Sequence, residues 1–479
     1  MNYWMIAYSL GWILNFEALF LLPALVVALI YKESAGMVIL VTAAICASAG
    51  TVLILRKPKR MKIFAREGFI ITALSWITLS VFGAIPFVLS GYIPHMVDAI
   101  FEVASGFTTT GASILTDVEA LPHCLLFWRS FTHWVGGMGV LVFVIAILPL
   151  AGVSNMYLMK AESPGPSVKK LVPTVRSSAM MLYSLYLFIT ACEFLILIIA
   201  RMPAFDALTL TFGTAGTGGF GVLNDSLGSY TILQQVIVTV FMILFGVNFN
   251  VYYLIYKRKI KDALKNSEVV TYLSIITVSI VMITINIYHL YGHFGLALKD
   301  AAFQVGSIIT TTGFSTTDFN LWPSFAKTVL VMLMFIGACA GSTGGGIKVS
   351  RVVMLFKTVL KEQDYYLHPN NVRRVKVDGK QVEHTVIRSV NVFIMAYILV
   401  FCGSLLLITL DNFDLVTNFT AVAATLNNIG PGLSLVGPAA NYSIFSPFAK
   451  AVLTFDMIAG RLELFPVLIL FSWKTWRNR

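Results

Sequence analysis

Charge is what this sequence has least of. Asp, Glu, Lys and Arg together make up 12% of its 479 residues, whereas 57% are hydrophobic; a soluble domain carries roughly 25% charge. The deficit excludes a water-soluble globule. Apolar stretches of about 20 residues recur along the chain, the length that crosses a bilayer as a helix. Acidic residues are the scarcer sign, 23 against 34 basic, and they form no cluster able to hold a metal for phosphate chemistry. Cysteine is also thin. Cys46, Cys124, Cys192, Cys339 and Cys402 lie mostly in separate apolar segments and form neither a disulfide framework nor a metal spacing. A cleavable leader is not expected, because residues 1–30 stay apolar too long and lack a basic start and a small-residue cleavage site. The class that survives these exclusions is an all-α polytopic membrane protein.

The basic residues are placed unevenly. Five stretches, 56–66, 160–176, 257–265, 348–388 and 474–479, hold 27 of the 34. The positive-inside rule puts all five in the cytoplasm, together with both termini. A basic chain could also bind nucleic acid, but charge beside apolar spans is explained by the lipid bilayer alone, so no nucleic-acid partner is expected.

One short element occurs four times. "DAIFEVASGFTTTGAS" runs from Asp98 through Gly111, "DALTLTFGTAGTGGFG" from Asp206 through Gly219, and "DAAFQVGSIITTTGFS" from Asp300 through Gly313. "TNFTAVAATLNNIGPG" fits the same frame, with Thr417 in the Asp position and Gly430 in the glycine position. Each copy lies between two apolar spans, at about 69–90 and 126–150, 179–200 and 231–256, 269–291 and 326–347, and 388–410 and 447–471. Two further spans, about 3–30 and 37–56, come first. The expected organisation is two N-terminal transmembrane helices with a basic linker (1–66), then repeats at 67–177, 178–266, 267–384 and 385–479. Fixed-period self-similarity marks one structural job done repeatedly. Every basic cluster after the first closes a repeat, so the four elements face outward.

A helix from Asp98 to about Phe107 rises only ~15 Å, against a hydrocarbon core of ~30 Å. The element is therefore re-entrant, and the irregular backbone after it is tolerated only where protein or a watery cavity surrounds it. Four of them can enclose a central pore in pseudo-fourfold symmetry. Asp98, Asp206 and Asp300 are expected as N-caps of the short pore helices. The glycines allow backbone carbonyls to point inward and replace an ion's hydration shell.

These four segments, "TTTGAS", "GTGGFG", "TTTGFS" and "NNIGPG", resemble the filter segments of the Trk/Ktr/HKT superfamily of potassium transporters. The two leading spans and "GRLELF" at 460–465 resemble the bacterial Trk membrane subunits, TrkH and TrkG. The resemblance implies uptake of potassium, the transported ion, with no organic cofactor in this chain. It implies a selectivity filter at Thr109, Thr110 and Gly111; Thr217, Gly218 and Gly219; Thr311, Thr312 and Gly313; and Asn428, Ile429 and Gly430. Potassium would be held at Thr110, Gly218, Thr312 and Ile429. In the family, serine at the first filter position goes with sodium transport, so four glycines favour potassium. The second and fourth segments depart from the threonine-rich form, which makes the ring asymmetric. The resemblance also implies a homodimer with one pore per subunit in the bacterial inner membrane. A cytoplasmic nucleotide-binding ring of the TrkA type would control opening, with 348–388 as a docking surface that includes Arg373 and Arg374.

"GACAGSTGGG" at 337–346 places five glycines in ten residues, about 12 residues into an apolar span. A loop outside the membrane would also be glycine-rich, but this depth resembles the family's intramembrane gate, with Gly341, Gly344, Gly345 and Gly346 as its hinge-prone positions. Arg461 is an intramembrane charge and so functional by default. Glu463, two residues away, does not face it on a helix. The family places this arginine in the permeation path as a barrier. "GTGGFG" as a dinucleotide fingerprint lacks a preceding strand, and Ile347 spoils "GSTGGGIK" as a P-loop. His289 and His293 lack a carboxylate partner for a metal site. A proton-coupled symporter, or another secondary transporter with inverted repeats, is the alternative; the basic clusters show no alternation of sidedness.

Overall fold

The computed structural model describes residues 2–58, 64–139, 175–368 and 374–477. The apolar runs form helices because nothing in lipid competes for their backbone groups. Tyr3–Tyr31 opens with the Asn2 side chain accepting from the Met5 N–H and ends at Lys32 in the left-handed conformation. It packs along Gly36–Leu55 as a hairpin. Four units then follow the same plan. A long helix is followed by a short buried helix, an extended segment and a return helix. The long helices are Ala65–Gly83 (extended by Ile85–Leu89), Val175–Ile199, Ser267–Tyr291 and His384–Ile408. The short ones are Met96–Phe107, Ala204–Gly216, Phe294–Ile309 and Leu415–Leu426. The return helices are His123–Gly137, Ile232–Phe245, Ser324–Met334 and Pro447–Arg461. The part of span 126–150 beyond residue 139 lies outside the described residues, as do Lys160, Arg373 and most of the 160–176 cluster.

Large apolar side chains such as Leu29, Ile30, Leu399 and Leu406 stand exposed on the outer helices, where lipid replaces water as solvent. The C-terminal half of every short helix, by contrast, is buried.

Among the described residues three return spans are broken, the third unit's where the glycine run announces it and the other two where the sequence predicts continuity. Ile232–Phe245 meets Phe249–Tyr256 at a bend of 90°, across Gly246 and Asn248, whose side chain accepts from the Asn250 N–H and starts the second piece. Ser324–Met334 gives way to the glycine run, and the chain resumes as Val349–Leu367. Pro447–Arg461 ends before Phe465–Phe471 at Glu463 and Leu464, both left-handed. A small departure from all-α structure is the hairpin of Lys376–Val377 with Lys380–Gln381. Its two turn residues, Asp378 and Gly379, both have positive φ, as a type I′ turn requires.

The expected N-caps are corrected. Asp98 and Asp206 lie in the first turn of their helices, at the third position, and Asp300 lies well inside its helix; the cap residues are His95, Pro203 and His293, without side-chain cap bonds. The residues ahead of each aspartate extend the helix outward past it. Only the fourth unit has a carboxylate cap, at Asp414, which accepts from the Thr417 N–H at 3.0 Å. Those hydrogen bonds hold the Asp414 carboxyl below its usual range, the Thr417 side chain contributing most. The three aspartates instead fasten helix ends to neighbouring segments. Asp98 accepts from Lys450 Nζ at 2.7 Å, Asp206 from the Tyr230 hydroxyl at 3.0 Å, and Asp300 from Thr316 at 2.8 Å and Lys299 at 2.7 Å.

Candidate ion pathway

All four short helices end in the same way. Thr109, Thr217, Thr311 and Asn428 have φ of 56°, 55°, 59° and 56°. Left-handed backbone is uncommon for any side chain and an outlier for β-branched threonine. The N–H of each bonds back to Gly106, Thr214, Ile308 or Thr425. The next N–H, of Thr110, Gly218, Thr312 or Ile429, bonds to Ser105, Gly213, Ser307 or Ala424 at 2.7–2.9 Å. This is the Schellman termination, made four times with a residue other than glycine at the left-handed position. Gly111, Gly219, Gly313 and Gly430 follow at φ of 80°, 81°, 87° and 96°, a second left-handed step for which glycine is suited.

The four segments close a ring in chain order. A Cβ added to Gly111 would strike the Gly218 carbonyl, one on Gly219 the Thr312 carbonyl, and one on Gly313 the Ile429 carbonyl. One on Gly430 would lie 2.7 Å from the Thr110 carbonyl, completing the circuit. The carbonyls of Thr110, Gly218, Thr312 and Ile429 accept no hydrogen bond from any described residue. Buried backbone acceptors are almost always paired, so four such carbonyls gathered in one ring are exceptional.

The unequal sequences have physical reasons. In the second segment a Cβ on Gly218 would lie only 2.2 Å from the His133 ring, so the threonine found at 110 and 312 has no room there. His133 Nδ1 lies 2.7 Å from the Gly106 carbonyl, and its Nε2 accepts from the Phe220 N–H at 3.3 Å. That pair of bonds selects the neutral Nδ1–H tautomer. In the fourth segment Asn428 Nδ2 donates to Thr110 Oγ1 at 2.9 Å and to the Met457 carbonyl at 2.8 Å, tying fourth segment to first. The Tyr442 hydroxyl donates to the Gly430 carbonyl at 2.7 Å.

A buried ion pair braces the ring from behind. Arg129 Nε donates to Glu102 Oε1 at 2.6 Å, and its Nη1 donates to the Gly221 carbonyl at 3.0 Å. The other Glu102 oxygen accepts from the Ile114 N–H at 2.9 Å. One pair thus fixes the backbone leaving both the first and second glycines. Sequence reading missed it. Its only trace is one acid and one base standing alone in apolar stretches.

The glycine run and Arg461 lie directly against the helix-terminating residues of the ring. The Gly345 N–H donates to Thr311 Oγ1 at 2.6 Å. A Cβ on Gly344 would lie 2.9 Å from the Thr310 carbonyl, and one on Gly345 would lie 2.6 Å from that of Asn427. Gly341 and Gly346 are left-handed, with φ of 74° and 66°. Lys348, buried, donates to the carbonyls of Gly344 and Gly345. Arg461 donates to Thr109 Oγ1 at 3.1 Å, to the Thr343 carbonyl at 2.8 Å, and to the Gly136 and Gly137 carbonyls at 2.6 and 2.9 Å. Glu463 pairs with Arg351, and Asp456 accepts from Ser404 at 2.6 Å. The arginine therefore bridges the ring, the glycine run and the first return helix.

The fold defines a multi-pass membrane protein in which four segments close one ring. The family profile described as TrkH, cation transport protein, matches residues 35–277 and 266–477. The chain is 38% identical over 474 residues to the Trk system potassium uptake protein TrkH of Salmonella typhimurium, covering 97% of each. It is 34% identical to the Trk system potassium uptake protein TrkG of Escherichia coli, covering 99% of this chain and 98% of that one. The crystal structure of the potassium transporter TrkH from Vibrio parahaemolyticus superposes with a TM-score of 0.88 at 33% identity over the whole of both chains. The chain belongs to the TrkH family of cation transport proteins. It is a transport protein and not an enzyme.

Proposed function

We propose that the protein takes up potassium through the glycine ring, with the carbonyls of Thr110, Gly218, Thr312 and Ile429 standing in for the ion's water. The observation that carries this is the set of four buried carbonyls brought together from four segments, none with a donor among the described residues. Relatives named as potassium uptake proteins over nearly the full length support the choice of ion. Gly111, Gly219, Gly313 and Gly430 are the selectivity positions. The glycine run, with Gly341, Gly344, Gly345 and Gly346, is the gate below them, and Arg461 is an electrostatic barrier beside it. The chain sits in the bacterial inner membrane with both termini cytoplasmic. It works as a homodimer with a TrkA-type nucleotide-binding ring docked on the basic surface around 348–388. The membrane potential suffices as the driving force. A univalent cation gains about 2.3 kcal/mol per 100 mV, which at ~1.4 kcal/mol per tenfold supports roughly 50-fold accumulation.

The test is uptake of radioactive rubidium into liposomes holding the purified protein. The reading predicts uptake that excess potassium abolishes and equimolar sodium barely reduces. Equal competition by sodium would reject the selectivity positions. Uptake that needs an imposed proton gradient at fixed potential would replace the uniport reading with symport.

A further inference from the structure

The glycine-dense part of the run, 341–346, is held by Lys348 just after it, but the backbone on both sides of it is held by one residue from another helix. Glu268 is the second residue of helix Ser267–Tyr291 and is buried. Its Oε1 accepts from the Ala340 N–H at 2.6 Å and from the Ser350 N–H at 3.1 Å. Those two amides lie on either side of the run's glycine-dense part, 341–346. Its Oε2 lies 3.4 Å from Asn248 Nδ2, at the 90° bend of the second return span. The same bend reaches the run directly. The Cys339 N–H donates to the Gly246 carbonyl at 3.1 Å, and the Phe249 N–H donates to the Gly341 carbonyl at 3.0 Å. The start of the Glu268 helix is anchored in turn to the cytoplasmic hairpin, where Asp378 Oδ1 accepts from the Ser267 N–H at 2.9 Å.

A carboxylate accepting two backbone N–H groups makes charge-assisted bonds, roughly twice as strong as neutral ones. Here the two donors lie ten residues apart on either side of a flexible glycine stretch. Fixing both closes that stretch into a loop of defined length, and a loop so tied cannot swing aside without breaking at least one of the bonds. The contact is therefore placed to set how often the loop leaves the passage, without touching the ring.

From this we infer that Glu268 is the latch of the glycine run, a positioning residue that holds the backbone on both sides of 341–346 and keeps the run across the passage. This rests on the reading of the run as a gate. Glu268→Ala removes both bonds. It raises rubidium flux in liposomes by about fivefold or more, the population shift expected from losing two charge-assisted bonds. Glu268→Gln keeps an oxygen able to accept both amides and stays near the wild-type flux. Rubidium over sodium discrimination is unchanged in both, because the ring is untouched. A residue needed only for folding would lower flux and yield together and would show no rescue by glutamine.

The control is deletion of 341–346 alone and combined with Glu268→Ala. Deletion that leaves flux unchanged means that the gate reading itself has failed. Deletion that raises flux, with Glu268→Ala at the wild-type level in a monodisperse sample, overturns the latch and spares the gate. Further stimulation of the deleted protein by Glu268→Ala also overturns it, since no loop is left to release. Should the alanine variant not fold, Glu268→Asp takes its place. Its shorter side chain cannot span both amides, and flux rises in it as well; an unraised flux rejects the latch.

Discussion

At the scale of single residues, the ring depends on backbone conformations that side chains resist. Gly219 is both left-handed and in contact with the Thr312 carbonyl. Gly219→Ala forces strain at φ of 81° and pushes that carbonyl aside. We expect rubidium-over-sodium discrimination to fall to near unity in competition uptake, while an alanine at the exposed Gly295 changes nothing. Arg461→Ala removes a positive charge from beside the ring and should raise rubidium uptake; slower uptake at normal expression would reject the barrier. Arg129→Ala leaves Glu102 buried without its partner, which costs roughly 3–5 kcal/mol. Its thermal unfolding midpoint should drop clearly, and the double change Arg129→Met with Glu102→Gln should recover much of it. The glycine spacing was legible in the sequence because only glycine suits the second left-handed step. The first step was not, because threonine at 109, 217 and 311 gives no local warning. Its conformation is imposed by helix-terminating bonds that depend on the whole turn. The aspartates were legible as important but assigned the wrong work, since nothing local shows that the helices extend outward past them.

At the scale of elements, the six helices among the described residues that are long and apolar enough to cross the membrane were readable from hydropathy. The breaks were readable only where glycine was dense. The run at 337–346 declares itself, whereas the bend at 246–248 carries a single glycine and an asparagine cap, and the turn at 463–464 carries neither glycine nor proline. The three breaks belong to the return spans of the second, third and fourth units, and the first two are joined by backbone hydrogen bonds. On the gate reading proposed above, the part that moves is an assembly of loop and bend rather than one loop. Deleting 341–346 should raise rubidium flux in correctly folded protein, and an unchanged flux would mean that the run is no barrier.

At the scale of the whole molecule, the four units are bound into one ring by contacts between segments far apart in sequence. Asn428 reaches Thr110, Lys450 reaches Asp98, and Arg461 reaches Thr109. Each of these joins the last unit to the first, so the ring closes only when the fourth unit is present. A chain truncated after residue 384 should therefore yield no rubidium uptake even if its first three units insert. The asymmetry legible in "GTGGFG" and "NNIGPG" became explicable only once His133 and Asn428 were seen against their neighbours, a relation no local pattern carries.

The most direct measurement is an anomalous difference map from crystals of the protein grown in rubidium. The account predicts a rubidium peak on the axis, within coordination distance of the Thr110, Gly218, Thr312 and Ile429 carbonyls and lost when sodium replaces rubidium. An empty ring at full rubidium concentration, or a peak only outside it, would contradict the account.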